Sequence, residues 1–104
     1  MSYLKMALAG AVLVSGLAQA AGNPNAGRVK SEACLGCHAV SSYNNVYPTY
    51  HVPRIAGQNA DYIVAALQAY RDGQRKHATM NIQAQSMSDE DMADIGAFWQ
   101  AQGQ

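Results

Sequence analysis

The chain alternates between stretches of different hydrophobic rhythm, and each rhythm predicts a different kind of segment. Residues 6–18 are almost continuously apolar, follow the cationic Lys5, and run into the small-residue triplet Ala18-Gln19-Ala20. That pattern predicts a secretory leader over residues 1–20, cleaved near Ala20. A membrane-crossing helix needs about 20 apolar residues, whereas Ser15, Gly16 and Gln19 interrupt this stretch and a polar Gly22-Asn23-Pro24-Asn25 follows. Only an uncleaved leader would tether the chain to a membrane.

Beyond the leader the spacing predicts a short helix over residues 25–33, with Asn25 as N-cap and Val29 and Ala33 on one face. Residues 39–57 turn to Ser, Asn, Tyr and Pro, and Pro48 and Pro53 break any period, so a long irregular loop is expected. Loops of that length in a small domain usually serve function or wrap a ligand. Helical spacing returns over residues 59–71, where Tyr62, Ala66 and Tyr70 form a stripe thickened by Ile63 and Leu67. Gly73 stands where a left-handed residue would end that helix. Residues 74–87 show no clear period and read as a second irregular stretch. Ser88 then caps a final helix to about Gln102, with Asp89, Glu90 and Asp91 favoured by the dipole of its first turn and Met92, Ile95 and Phe98 or Trp99 on its apolar face. No strand, repeat or linker is predicted, so the fold class is all-α, with one domain over residues 21–104.

Removing 20 of the 104 residues leaves a domain of about 84, marginal for a self-sufficient apolar core. Two cysteines do not make a multi-disulfide scaffold, so a bound cofactor is the better candidate for the missing apolar volume. The whole chain has 7 Lys and Arg against 7 Asp and Glu, and losing Lys5 with the leader leaves a slight acidic excess. Nucleic acid is excluded as a partner, because phosphate binding requires a strong basic surplus.

One motif carries high information: Cys34-Leu35-Gly36-Cys37-His38. C-x-x-C-H is the attachment signature for c-type haem. Two thiols one turn apart add to the two vinyl groups on one porphyrin edge, and the next residue brings its imidazole to the iron. The cofactor expected is therefore one haem c, covalent through Cys34 and Cys37, with His38 as proximal iron ligand. Three other readings of the cysteines compete. A thioredoxin-like dithiol wants a sheet around it, a structural zinc site wants more ligands than His51 and His77 supply, and a plain disulfide makes the adjoining histidine a coincidence.

The side chains able to take the sixth iron position are Met80, Met87, Met92, His51 and His77. Met92 falls on the apolar face of the final helix, and Met87 precedes the Ser88 cap, where it would staple against Met92. Met80 lies in an irregular stretch able to wrap the far side of a ring, so it is favoured, with Met87 or a histidine as alternatives. His/Met ligation raises the reduction potential over bis-His, and the filled coordination sphere leaves no place for a small-molecule substrate.

The order of these segments resembles the class I cytochromes c, above all small bacterial monohaem proteins and the domains of dihaem periplasmic cytochromes. The resemblance rests on C-x-x-C-H, on Pro53 before Ile55-Ala56-Gly57-Gln58, on Tyr70-Arg71-Asp72-Gly73-Gln74-Arg75, on Met80, and on Met87-Ser88-Asp89-Glu90-Asp91 opening an aromatic final helix. It implies a fold of three to five helices around one haem, with Cys34, Cys37 and His38 holding it and Met80 as distal ligand. It also implies that the Pro53 carbonyl accepts a hydrogen bond from His38, and that Gly27 meets Phe98 or Trp99 where first and last helices cross. Ala39, where glycine is common, and the Tyr-rich residues 41–52 depart from the family pattern. The function implied is periplasmic one-electron transfer, with a redox donor and acceptor such as a dehydrogenase or terminal oxidase as partners. A cytochrome subunit of a larger complex and a small peroxidase-like enzyme are the alternatives.

Overall fold

In the computed structural model the residues described are 22–39, 42–46 and 49–103; the leader and its cleavage site lie outside them. They form five helices and one small hairpin: α1 Pro24–Lys30, α2 Glu32–His38, β1 Asn44–Val46, β2 Thr49–His51, α3 Ala60–Arg71, α4 Ala78–Gln85 and α5 Asp89–Ala101. The domain is all-α but for that hairpin.

The core lies where α3 and α1 meet α5. Ile63 and Leu67 of α3 close against Met92, Ile95, Phe98 and Trp99 of α5, and the Phe98 and Trp99 rings meet edge to face with centroids 5.4 Å apart. Helix α1 crosses α5 at Gly27, where an added Cβ would strike the Asp94 carbonyl oxygen and come within 2.9 Å of the Phe98 Cβ. The backbones approach this closely because glycine has no side chain to hold them apart. Lys30 tightens the crossing, reaching Asp94 at 2.7 Å and Asp91 at 3.0 Å, while Asp94 also accepts from the Asn23 N–H at 2.8 Å.

Helix ends follow local chemistry. Ser88 and Asp91 form a reciprocal capping box at the start of α5, and Asn59 caps α3 by accepting from the Tyr62 N–H. Gly73 adopts φ +83°, the left-handed conformation expected after α3.

The structure corrects four details. The first helix is capped by Asn23, not Asn25, and starts at Pro24, a residue pre-set for the first helical turn. Its Val29 is 68% exposed, because the face turned inward carries Gly27 instead. Strands occur within the expected irregular loop, pairing antiparallel with Asn45 opposite Tyr50. Residues 78–85 are helical where an irregular stretch was expected. Ala78, Met80, Ile82 and Ala84 alternate with polar residues, a strand-like period, and α4 accordingly buries Ala84 while Ile82 stays 67% exposed.

Candidate functional site

Helix α2 follows α1 with only Ser31 between them and carries the whole Cys34–His38 motif. Cys34 and Cys37 are three residues apart and so share one helix face. Both thiols are free and half-buried, and Cys34 packs against the apolar core. Burial pushes the Cys34 thiol above its ordinary range, with the neighbouring Cys37 adding to the effect. A redox-active dithiol needs the opposite, a thiol lowered toward thiolate.

His38 ends α2, and its Nδ1 donates to the Pro53 carbonyl oxygen at 2.7 Å. A carbonyl only accepts, so Nδ1 is the protonated nitrogen of this bond, and Nε2 is the ring nitrogen left to face a metal. Among the described residues no cluster of three or more His, Cys, Asp or Glu side chains could hold a metal ion.

Cys34, Cys37 and His38 border a cavity of about 310 Å³. The α3 stripe of Tyr62, Ala66 and Tyr70 forms part of its wall with Ile63 and Leu67, and Val52, Pro53 and Ile55 contribute from the chain after the hairpin. Of the sixth-position candidates, Met80, Met87, His51 and His77 all border this space, whereas Met92 is fully buried in the core and does not. The size lies at the lower end of ligand pockets, about 300–1,000 Å³. Its lining suits a large apolar ring: mostly hydrocarbon walls, two thiols bordering it, and imidazole and thioether side chains on the segments around it.

Polar contacts hold the walls in place. Arg71, at the end of α3, donates to Asp89 at 2.8 Å and to the Met87 carbonyl at 3.3 Å, joining α3 to the start of α5. Asp89 accordingly holds its proton less tightly than an ordinary aspartate. Arg75 lies over the Tyr70 ring, 4.9 Å from its centre, and donates to the Tyr62 hydroxyl at 3.3 Å. Arg75 thus belongs to the cavity lining, while Arg71 joins the segments behind it.

An apolar cavity with a thiol pair at its edge and an imidazole fixed beside it is the arrangement by which a c-type cytochrome grips haem. The chain belongs to that family, as a class I c-type cytochrome. It is 42% identical over 85 residues to cytochrome c-554(548) of Halomonas halodenitrificans, an alignment covering 79% of this chain and 99% of that protein. Cytochrome c4 of Pseudomonas aeruginosa is 34% identical over 89 residues, covering 86% of this chain and 43% of the relative. Cytochrome c4 of Azotobacter vinelandii is 32% identical over 98 residues, 45% of its length, so the chain spans under half of these c4 relatives. Among solved structures, reduced recombinant cytochrome c4 from Pseudomonas stutzeri shares the fold, with a TM-score of 0.56 over 78% of this chain and 50% of that one at 21% identity. No family model matches the sequence. Membership makes the chain an electron-transfer protein carrying covalent haem c, not an enzyme.

Proposed function

We propose that this chain is a periplasmic carrier of single electrons, its haem held by Cys34 and Cys37 with His38 as proximal and Met80 as distal iron ligand. One observation carries the reading: all four side chains border a single apolar cavity, and the His38 ring is already oriented by Pro53. When bound, the haem supplies a one-electron ferric/ferrous couple. The protein's part is to hold that couple rigid and mostly dry. Ile63, Leu67 and Val52 exclude water, the Pro53 carbonyl fixes the proximal imidazole and its donor strength, and a thioether sulfur from Met80 favours the ferrous form.

Met80 is preferred over Met87 because of what each residue is attached to. Met87 adjoins the Ser88 capping box and its carbonyl is engaged by Arg71, which ties it to the α5 frame. Met80 packs against the edge of the core as Met87 does, but it lies on a short helix bordering the cavity whose backbone is not tied to α5. A filled distal position favours a carrier over a peroxidase-like enzyme. Export by the leader of residues 1–20 would deliver the chain to the periplasm, where a redox donor and acceptor are its partners.

The ferric absorption spectrum of Met80→Ala tests the ligand assignment. The methionine-to-iron charge-transfer band of the unaltered protein is expected to vanish, and external ligands to bind the opened site. Retention of the band in that variant would refute Met80 and promote Met87.

A further inference from the structure

Helix α4 is too short to hold Met80 in place by itself. It has 8 residues and buries one of them, Ala84, whereas an isolated helix in water is marginal below about 12–15 residues. Two straps from outside the helix fix it, one on each side of Met80. On the α3 side, the Asn81 amide donates to the Tyr70 and Arg75 carbonyls at 2.9 Å each and accepts from the His77 N–H at 2.9 Å.

The other strap comes from the hairpin. The hydroxyl of Tyr50, on β2, shares a hydrogen bond with the Thr79 hydroxyl at 3.1 Å. Its ring meets the His77 imidazole edge to face, with centroids 4.6 Å apart and planes at 89°. His77 caps the helix, its Nδ1 turned toward the Met80 N–H at 3.5 Å. Tyr50, His77, Thr79 and Met80 all border the cavity. The positions flanking Met80 are thus tied to separate parts of the molecule, 77 and 79 to the hairpin and 81 to α3.

We propose that Tyr50 is a positioning residue for the distal ligand: through its hydroxyl on Thr79 and its ring on His77, the hairpin holds Met80 in the cavity and sets how readily an external ligand displaces it. This rests on Met80 being the distal ligand. A thioether is a neutral, weak donor, so its occupancy depends on the backbone behind it staying in place.

The test uses the ferric haem-loaded protein, titrated with imidazole at fixed pH while the methionine-to-iron band is followed, beside its thermal midpoint. Tyr50→Phe keeps the ring contact and removes the hydroxyl. Tyr50→Ala removes both, and Asp94→Asn weakens the α1–α5 crossing without touching α4. Imidazole affinity is expected to rise about threefold to tenfold in Tyr50→Phe and more than about tenfold in Tyr50→Ala, in keeping with one and then two lost contacts. Asp94→Asn is expected to lower the thermal midpoint and leave the affinity unchanged. Unchanged affinity in both Tyr50 variants, or an equal rise in Asp94→Asn, would overturn the proposal. If Tyr50→Ala fails to mature, Tyr50→Phe alone decides. A native protein without the band, or Met80→Ala retaining it, removes the distal assignment and this inference together. A band lost in Met80→Ala with silent Tyr50 variants removes the positioning role alone.

Discussion

The frame of α1, α3 and α5 and the segments that wrap the cavity, residues 50–59 and 74–87, are built by different means. The frame is apolar burial and close backbone approach: Met92 and Trp99 at 0% and 2% exposure, and Gly27 against the Asp94 carbonyl. The wrapping segments bury little, and side-chain hydrogen bonds hold them, from Tyr50, Asn81 and His38 to their neighbours. Apolar burial is roughly proportional to area and indifferent to direction, whereas hydrogen bonds fix positions to fractions of an ångström. The frame should therefore set whether the domain stays folded, and the wrapping segments what the iron experiences.

The variants that sharpen or break this division rank by size of effect. Replacing Cys34 and Cys37 together by Ser abolishes covalent attachment and leaves a core too small to stand alone. Purified chain should then carry no haem and show an unfolded circular-dichroism spectrum, and a folded colourless variant would break the division at its root. Gly27→Val forces α1 away from α5 and is expected to cost about 3 kcal/mol in denaturant unfolding, with the methionine-to-iron band unchanged in the folded fraction. Asp94→Asn should cost about 1–2 kcal/mol by the same measurement, since it weakens charge-assisted bonds from Lys30 and the Asn23 N–H.

Acid probes the same crossing. The Asn23 N–H first, then the Lys30 ammonium, hold the Asp94 carboxyl below the usual aspartate range. A carboxyl lowered in the folded state contributes stability that is complete above the unfolded value of about 3.9 and is lost as pH falls toward the folded value. Unfolding free energy should fall below about pH 4 in the native protein and fall less steeply there in Asp94→Asn. The smallest effect belongs to Val46→Ala at the exposed end of β1, within about 0.5 kcal/mol and with imidazole affinity unchanged. A large change there would mean that the hairpin acts through its tip and not through Tyr50.

The same division explains what could be read from the sequence. Frame elements announce themselves, because burying one face imposes a period of 3.6: Ile63 with Leu67 and Met92 with Ile95 stand at helical spacing, and the Ser88 box and Gly73 mark ends. The wrapping segments have no such obligation. Helix α4 alternates apolar and polar residues like a strand, and its helical state comes from the His77 cap and the Asn81 ties, contacts invisible to a periodicity argument. The hairpin strands are three residues each, too short to show a period. The start of α1 was legible in principle, since Asn23 before Pro24 is a cap followed by a first-turn proline, but Asn25 offered a competing cap two residues on. At the site, the thiols, the imidazole and Met80 were named from the motif and the family resemblance. The straps of Tyr50, Thr79 and Asn81 were not, because their ties to β2 and α3 join residues 29 and 11 positions apart.

Everything assigned to the cavity depends on a porphyrin joined to the chain through Cys34 and Cys37. The direct measurement is the mass of the purified protein after acid denaturation, from cells equipped for haem ligation in the periplasm. The account predicts the polypeptide plus one haem that denaturation does not remove. A folded protein that yields the bare polypeptide mass would contradict it.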